Sequence, residues 1–338
     1  MRFWLVVTIL VVLLMVMSAL ALALGAVSIP FSTTLSLVLQ PWKLWQGQHS
    51  SSQLILVQLR LPRILLGILA GSGLAMCGGV MQGLFRNPLA DPYLLGIASG
   101  ASTGAALCIV LGWRSSPLML TLFAFGGGLL AVFLVMQVAR SRWGQLSPIT
   151  LILAGVAMSS MFSAVTSFLI FFTGREEREQ IVFWLMGDLG HSTWQQLGLL
   201  APLTLLAAGG ILWFVRDLNA LALGEDMATH LGLNPQRSQG WLLFWSTLLT
   251  AGIVGICGTI GFVGLLIPHG VRLVIGPDHR RLLPLSFLGG AVFLVGCDLL
   301  ARLLARPSEL PIGLMTALFG APFFLFLLRR HQRHGGSW

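Results

Sequence analysis

The chain has 338 residues, 56% of them apolar and 9% charged, and its mean hydropathy is +0.88. A soluble domain carries about 25% charged residues, so this composition excludes a water-covered globule and implies an all-α polytopic membrane protein. The net charge of +9 does not mark nucleic-acid binding, because the basic residues are scattered between apolar spans.

Ten apolar spans follow in chain order, at about 3–27, 64–84, 94–111, 117–138, 149–172, 193–215, 240–260, 262–275, 283–304 and 312–328. Most reach the roughly 20 residues that a helix needs to cross the hydrocarbon. The third and eighth are short, which predicts helices that are broken or partly buried in protein. The first span follows Arg2 and ends in "ALALGA", as a signal peptide can. Its apolar run is longer than a signal h-region, so it is read as a retained helix.

With the N-terminus in the cytoplasm, ten crossings return the C-terminus there. That side then collects twelve arginines: Arg2, Arg86, Arg140, Arg142, Arg216, Arg237, Arg272, Arg280, Arg281, Arg329, Arg330 and Arg333. The other side collects eight basic residues: Lys43, Arg60, Arg63, Arg114, Arg175, Arg178, Arg302 and Arg306. The excess favours both termini inside, and the basic tail "RRHQRH" adds to it.

Glycine marks two spans. The second carries GxxxG pairs at Gly67/Gly71 and Gly79/Gly83, a spacing that lets helix backbones approach closely in lipid. The seventh has a glycine at every third position from Gly252 to Gly264. At about 100° per residue these wind around the helix, which predicts close contacts on several sides or a break near Gly261. "AGSGLAMCGGVMQGLFRNP" and "AGIVGICGTIGFVGLLIP" echo each other, each reaching a proline eleven residues after a Cys. The echo leaves open an inverted repeat, a transporter feature, or a chance likeness of Gly-rich helices. Cys77, Cys108, Cys257 and Cys297 lie in apolar segments with no CxxC spacing and read as buried core residues.

No charged residue falls near the middle of a span; Asp298 and Arg302 form an i,i+4 pair toward the end of the ninth. An ion-coupled carrier needs ionisable or unwound sites at mid-depth, so a secondary transporter is the weaker alternative. Lys43 is the one lysine and stands in "QPWKLW", so there is no P-loop. No HExxH or GxSxG occurs, and His269 in "IPHG" reads as structural, so neither an enzyme nor a metal site is expected. A transporter with no energy source of its own implies a separate ATPase subunit.

The segment 217–234, "DLNALALGEDMATHLGLN", is too polar to cross the membrane and too apolar for a free loop. Ala222, Met227, Leu231 and Leu233 make an apolar stripe that Gly224 divides into two short pieces. It suits a helix lying on lipid or a helix pair seated in a partner's groove.

Four colinear stretches now point one way: 58–102, "LALGEDMATHLGL" at 221–233, "GTIGFVGLLIPHGVRLVIGPDHRRLLP" at 258–284, and "ELPIGLMTALFGAPFFLFLL" at 309–328. Together they resemble the permease family of ABC importers for iron–siderophores, haem and vitamin B12. The resemblance implies a vitamin B12 permease-like fold of about ten transmembrane helices, one permease domain over 1–338, in a bacterial inner membrane. It implies a second permease subunit (most simply a homodimer), two ATPase subunits that bind ATP and Mg, and a periplasmic substrate-binding protein. No cofactor is then bound by this chain. Residues 217–234 become the ATPase-coupling segment, with Leu221, Ala222, Gly224, Glu225, Ala228, Leu231 and Gly232 at the contact. Arg60, Arg63 and Arg302 match arginines that receive acidic residues of the binding protein. Asn87, Pro88 and Leu89 match a cytoplasmic gate in "GLFRNPLADPYLLG", completed by Ser147; in "SPI" only that residue keeps the small hydroxyl pattern. Iron–siderophore or haem is the expected cargo, then vitamin B12, then an oxyanion such as molybdate.

Overall fold

The computed structural model describes residues 2–25, 51–113, 116–140, 147–305 and 308–333. Lys43, Arg114, Arg142 and Arg306, and the side chains of Arg330 and Arg333, fall outside the described set. The described chain is helical. Its helices are α1 (Arg2–Ala23), α2 (Leu61–Leu84), α3 (Ile97–Val110), α4 (Pro117–Ala139), α5 (Pro148–Phe172), α6 (Arg175–Leu185) and α7 (Trp194–Trp213). They continue as α8 (Val215–Ala222), α9 (Glu225–His230), α10 (Pro235–Cys257), α11 (Val263–Ile275), α12 (His279–Leu304) and α13 (Ile312–Arg333).

Seven are long and apolar enough to cross a membrane, α2 counting with the turns that precede it. The shorter apolar helices are α3, α11 and the 312–326 part of α13, so all ten predicted spans are helices. Proline stands in the first turn of α2, α4, α5 and α10, where its missing N–H is not needed. Ser116, Thr193, Asn234 and Asp278 cap the N-termini of α4, α7, α10 and α12 with their side chains.

Helix α2 is the axis of the bundle. In α1 most side chains face outward, whereas 83% of the apolar window of α2 is buried. The glycines make this possible. A Cβ on Gly71 would run into the backbone carbonyl of Gly290 in α12, and one on Gly78 into the carbonyl of Gly264 in α11. On α10 the winding glycines face different neighbours: Gly252 meets Leu203 of α7, Gly255 meets Thr121 and Phe125 of α4, and Gly258 meets Trp184. The break expected near Gly261 spans residues 258–262, where Phe262 takes a left-handed φ of 68°.

The second break is deeper than a surface turn. Helix α3 has 14 residues and so covers only about 21 Å. It starts inside the bundle, where Leu95 and Ile97 are fully buried. Asp91 comes within 3.3 Å of where a Cβ on Gly264 would stand, and Gly264 packs on α2 at Leu74 and Gly78. An acidic residue thus packs inside the bundle, off the helices, which the span-by-span reading does not show. Irregular backbone at this depth must be satisfied within protein. Tyr93 Oη–H donates to the Ile260 carbonyl (2.9 Å) and accepts the Ile260 N–H (3.2 Å), so each break closes the other. The two echoed stretches pack together but are not equivalent: α2 continues past Cys77 to Leu84, whereas α10 ends at Cys257.

Replacing Gly71 by Ala is expected to lower stability by about 1–3 kcal/mol, since the obstruction is backbone and cannot rotate away. At Gly198, where a Cβ meets nothing within 4 Å, the same change should stay within about 0.5 kcal/mol. Thermal unfolding of the two variants in detergent checks the contrast.

Candidate coupling and gate site

Helices α8 and α9 form a hairpin at one end of the bundle. Gly224 joins them at φ 125° and ψ 153°, a conformation that side chains do not adopt without strain. Glu225 and Asp226 open α9, where negative charge suits the helix dipole. One face anchors the hairpin: Leu218, Leu221 and Ala228 are buried. The other face is apolar and open, with Leu223 72%, Met227 50% and Leu231 61% exposed. Of the expected coupling residues, Leu221 and Ala228 are therefore anchors. Leu231 lies on the open face, and Gly232 ends the hairpin at φ 81°. Ala222 is half-buried beside Leu223.

Three polar ties hold this hairpin. Ser238 Oγ donates to Asp217 Oδ2 at 2.5 Å and Gln239 Nε2 to Glu225 Oε1 at 2.9 Å, both from α10. The Asn219 amide reaches α12, where its Nδ2 donates to Asp278 Oδ1 at 2.8 Å. Burial works against the Asp278 charge. The Asn219 amide, the Arg280 N–H and the positive charges of Arg280 and Arg281 outweigh it and hold the carboxyl below its usual range.

The expected gate residues follow α2. Arg86 turns the chain at φ 48°. The Asn87 N–H bonds back to the Gln82 carbonyl at 3.2 Å, and Asn87 Oδ1 accepts the Leu89 N–H at 2.9 Å. The Asn87 side chain thus shapes its own loop, and Pro88 keeps helix from re-forming. A cleft of about 620 Å³ is lined by Arg86, Asn87 and Pro88 of the loop and by Ala222 and Leu223 of the hairpin. Ser147 is exposed at the start of α5 and makes no side-chain cap there.

The opposite end holds a buried charge cluster. Asp298 is shared: Oδ1 receives Arg63 Nε at 2.8 Å and Oδ2 lies 3.0 Å from Arg302 Nη2. Glu309 caps the other side of Arg63 at 2.5 Å. Arg302 also donates to the carbonyl of Ala21 at 3.0 Å, and Arg60 to those of Leu22 (2.5 Å) and Ala23 (3.0 Å), so both close the end of α1. Arg60, Arg63 and Arg302 are 6%, 8% and 2% exposed. The outward-facing docking arginines expected from the sequence are thus turned inward, because α1 and α12 present acceptors closer than solvent. Beside them opens a cavity of about 690 Å³ lined by Trp184, Asp188, His191 and Glu309 among others.

A hairpin with an apolar tip, a re-entrant loop at its side and a cavity at the far end is transporter architecture. The model of the FecCD transport family matches residues 12–330. The chain belongs to the FecCD transport family. It is 38% identical to the hemin transport system permease HmuU of Yersinia pestis over 331 residues, covering 96% of each chain. It is 44% identical to the cobalamin import system permease BtuC of Halobacterium salinarum over 290 residues, 85% of this chain and 76% of that one. The Fe(3+) dicitrate transport permease FecD of Escherichia coli is 40% identical over 298 residues, covering 86% and 91%. A solved ABC transporter assigned to the metal-chelate type, in an inward-facing conformation, matches with a TM-score of 0.83 at 35% identity. That match covers 95% of this chain and 97% of the other.

In this FecCD permease, sequence reasoning paired Asp298 with Arg302 and missed Arg63 and Glu309, which lie 235 and 11 residues from Asp298 along the chain. Asn219 was also missed; its polar type inside an apolar run was the available signal. Asp298→Ala would leave two buried guanidiniums without their shared carboxylate and should cost about 3–5 kcal/mol. Glu309→Gln, at a half-exposed carboxylate, should cost under about 1 kcal/mol. Melting of both variants in detergent reads the difference; equal losses would show that Asp298 does not hold the cluster.

Proposed function

We propose that this permease is the membrane subunit of a binding-protein-dependent ABC importer in a bacterial inner membrane. Two copies surround the path and two separate ATPase subunits, which carry ATP and Mg, seat on the α8–α9 hairpins. The observation that carries the reading is the hairpin itself: an exposed apolar tip on a buried, hydrogen-bonded base is a docking element. The hairpin end is then cytoplasmic and both termini lie inside. The arginine counts of the loops support this orientation. The Asn87–Pro88–Leu89 loop, beside the hairpin, is the cytoplasmic gate, with Ser147 as its counterpart on α5.

A periplasmic binding protein docks at the opposite end. The guanidiniums there are occupied, so an acidic residue of that protein reaches Arg63 by displacing Glu309. Glu309→Gln removes the competitor and is expected to tighten docking by a few fold at low salt. Weaker docking of this variant to the complex in nanodiscs would overturn the displacement.

The cargo is an iron chelate, a siderophore complex or haem. The haem and iron dicitrate relatives match across most of both chains. The greater identity to a cobalamin permease makes vitamin B12 the second reading. Proteoliposomes holding the permease, its ATPase and its binding protein test both, with haem, a ferric siderophore and cobalamin offered in turn. Gly224→Val or Glu225→Ala should leave ATP hydrolysis running while uptake falls at least about tenfold. Normal uptake by both variants would overturn the coupling role. Uptake that persists without the ATPase and follows a proton gradient would mark a secondary carrier instead.

A further inference from the structure

We propose that Asn219 is the positioning residue through which movement of the hairpin reaches the gate loop. The inference rests on the hairpin being the ATPase seat. Both ends of the Asn219 amide are used. Its Nδ2 donates to Asp278 Oδ1 at 2.8 Å. Its Oδ1 accepts the His279 N–H at 2.9 Å and faces His279 Nδ1 at 2.7 Å. Among the described residues, every side-chain hydrogen bond between α8 and α12 comes from Asn219.

The path continues from His279 by packing. Its ring lies against Gly83 in the last turn of α2. A Cβ there would stand 2.7 Å from His279 Nε2 and 2.8 Å from Leu218 Cδ1. Gly83 is therefore where α2, α8 and α12 meet without a side chain between them. His279 is 3% exposed and Leu218 fully buried, so both side chains are held against Gly83. Arg86 and Asn87 follow at once, and Asn87 is tied back to Gln82. The 620 Å³ cleft is lined by Asn87 and Pro88 and also by Asn219 and His279, so the loop and the relay face one space into which the loop can move. The remaining polar ties of the hairpin, from Ser238 and Gln239, run to α10, and the loop approaches the hairpin directly at Arg86 Nη1, 3.6 Å from where a Cβ on Gly224 would stand.

The residue type follows from its partners. Asp278 needs a donor and His279 needs an acceptor, and a side-chain amide is both. Asn219→Leu keeps the size and loses every bond. Asn219→Asp keeps the acceptor but sets a second carboxylate against Asp278. Asn219→Asp combined with Asp278→Asn restores the bond with donor and acceptor exchanged, and Asn remains a good helix cap at 278.

The test uses the full complex in proteoliposomes. Uptake per ATP hydrolysed is measured, together with nucleotide-dependent labelling of a thiol introduced by Leu89→Cys, which leaves the Asn87 side-chain bond to the residue 89 N–H in place; the four native cysteines are buried. Asn219→Leu and Asn219→Asp are expected to lower uptake per ATP by roughly tenfold and to abolish the ATP-dependent change in labelling. The exchanged pair should recover both. Wild-type coupling in Asn219→Leu, or an exchanged pair no better than Asn219→Asp, would overturn the proposal. If Asn219→Leu does not accumulate, the comparison of Asn219→Asp with the exchanged pair decides. Leu223→Glu with Met227→Glu separates the two readings. If the ATPase still binds that variant, the hairpin is not its seat. If binding is lost while Asn219→Leu couples normally, only the relay fails.

Discussion

The contact on which this fold depends is backbone against backbone, between α2 and its neighbours α11 and α12. Lipid provides no hydrophobic drive for helices to associate, so close van der Waals packing must hold them. Gly71 against Gly290 and Gly78 against Gly264 achieve that approach. Because α2 is continuous from Leu61 to Leu84, the same rod carries Arg63 at one end and Gly83 at the other. The charge cluster and the Gly83 junction are therefore parts of one rigid element.

That rod dictates where the irregular backbone goes. The break at 85–96 leaves the end of α2, and the break at 258–262 leads into α11, which packs on α2 through Gly264. Tyr93 serves Ile260 at one junction, and Gln82 donates to the carbonyls of Gly264 (3.3 Å) and Leu265 (3.1 Å) at the next. Arg272 Nη1 then donates to Gln82 Oε1 at 2.9 Å. Polar groups released by broken helices are thus collected in a few side chains around α2. A permease that must open a path needs such breaks, since an unbroken helix offers no hinge.

The two ends of the bundle treat charge differently. At the Arg63 end three arginines are buried and share acceptors, which makes a rigid clasp over the end of α1. At the hairpin end the acids are spent on capping and bracing: Asp217, Glu225 and Asp278 each hold a neighbour. The apolar side chains are left on the surface there. One end is thus closed by the chain's own charges, and the other presents apolar side chains.

Much of this was legible along the chain. Spans, their number and their approximate limits follow from hydropathy, because a helix in lipid must satisfy its own backbone. The split of 217–234 at Gly224 is readable for a similar local reason: polarity and glycine act within a few residues. The glycine windings on α10 foretold several neighbours and a break. Tertiary structure alone decided the rest. That Tyr93 before α3 meets Ile260, that Asp298 serves Arg63 as well as Arg302, and that Asn219 meets Asp278 rest on contacts across 59 or more residues. Periodicity cannot see them. The direction of Arg60, Arg63 and Arg302 was likewise open in the sequence, where an arginine near a helix end reads as facing water. It points inward here because carbonyls of α1 and the carboxylate of Asp298 lie closer than solvent, and only packing α1, α2 and α12 together puts them there.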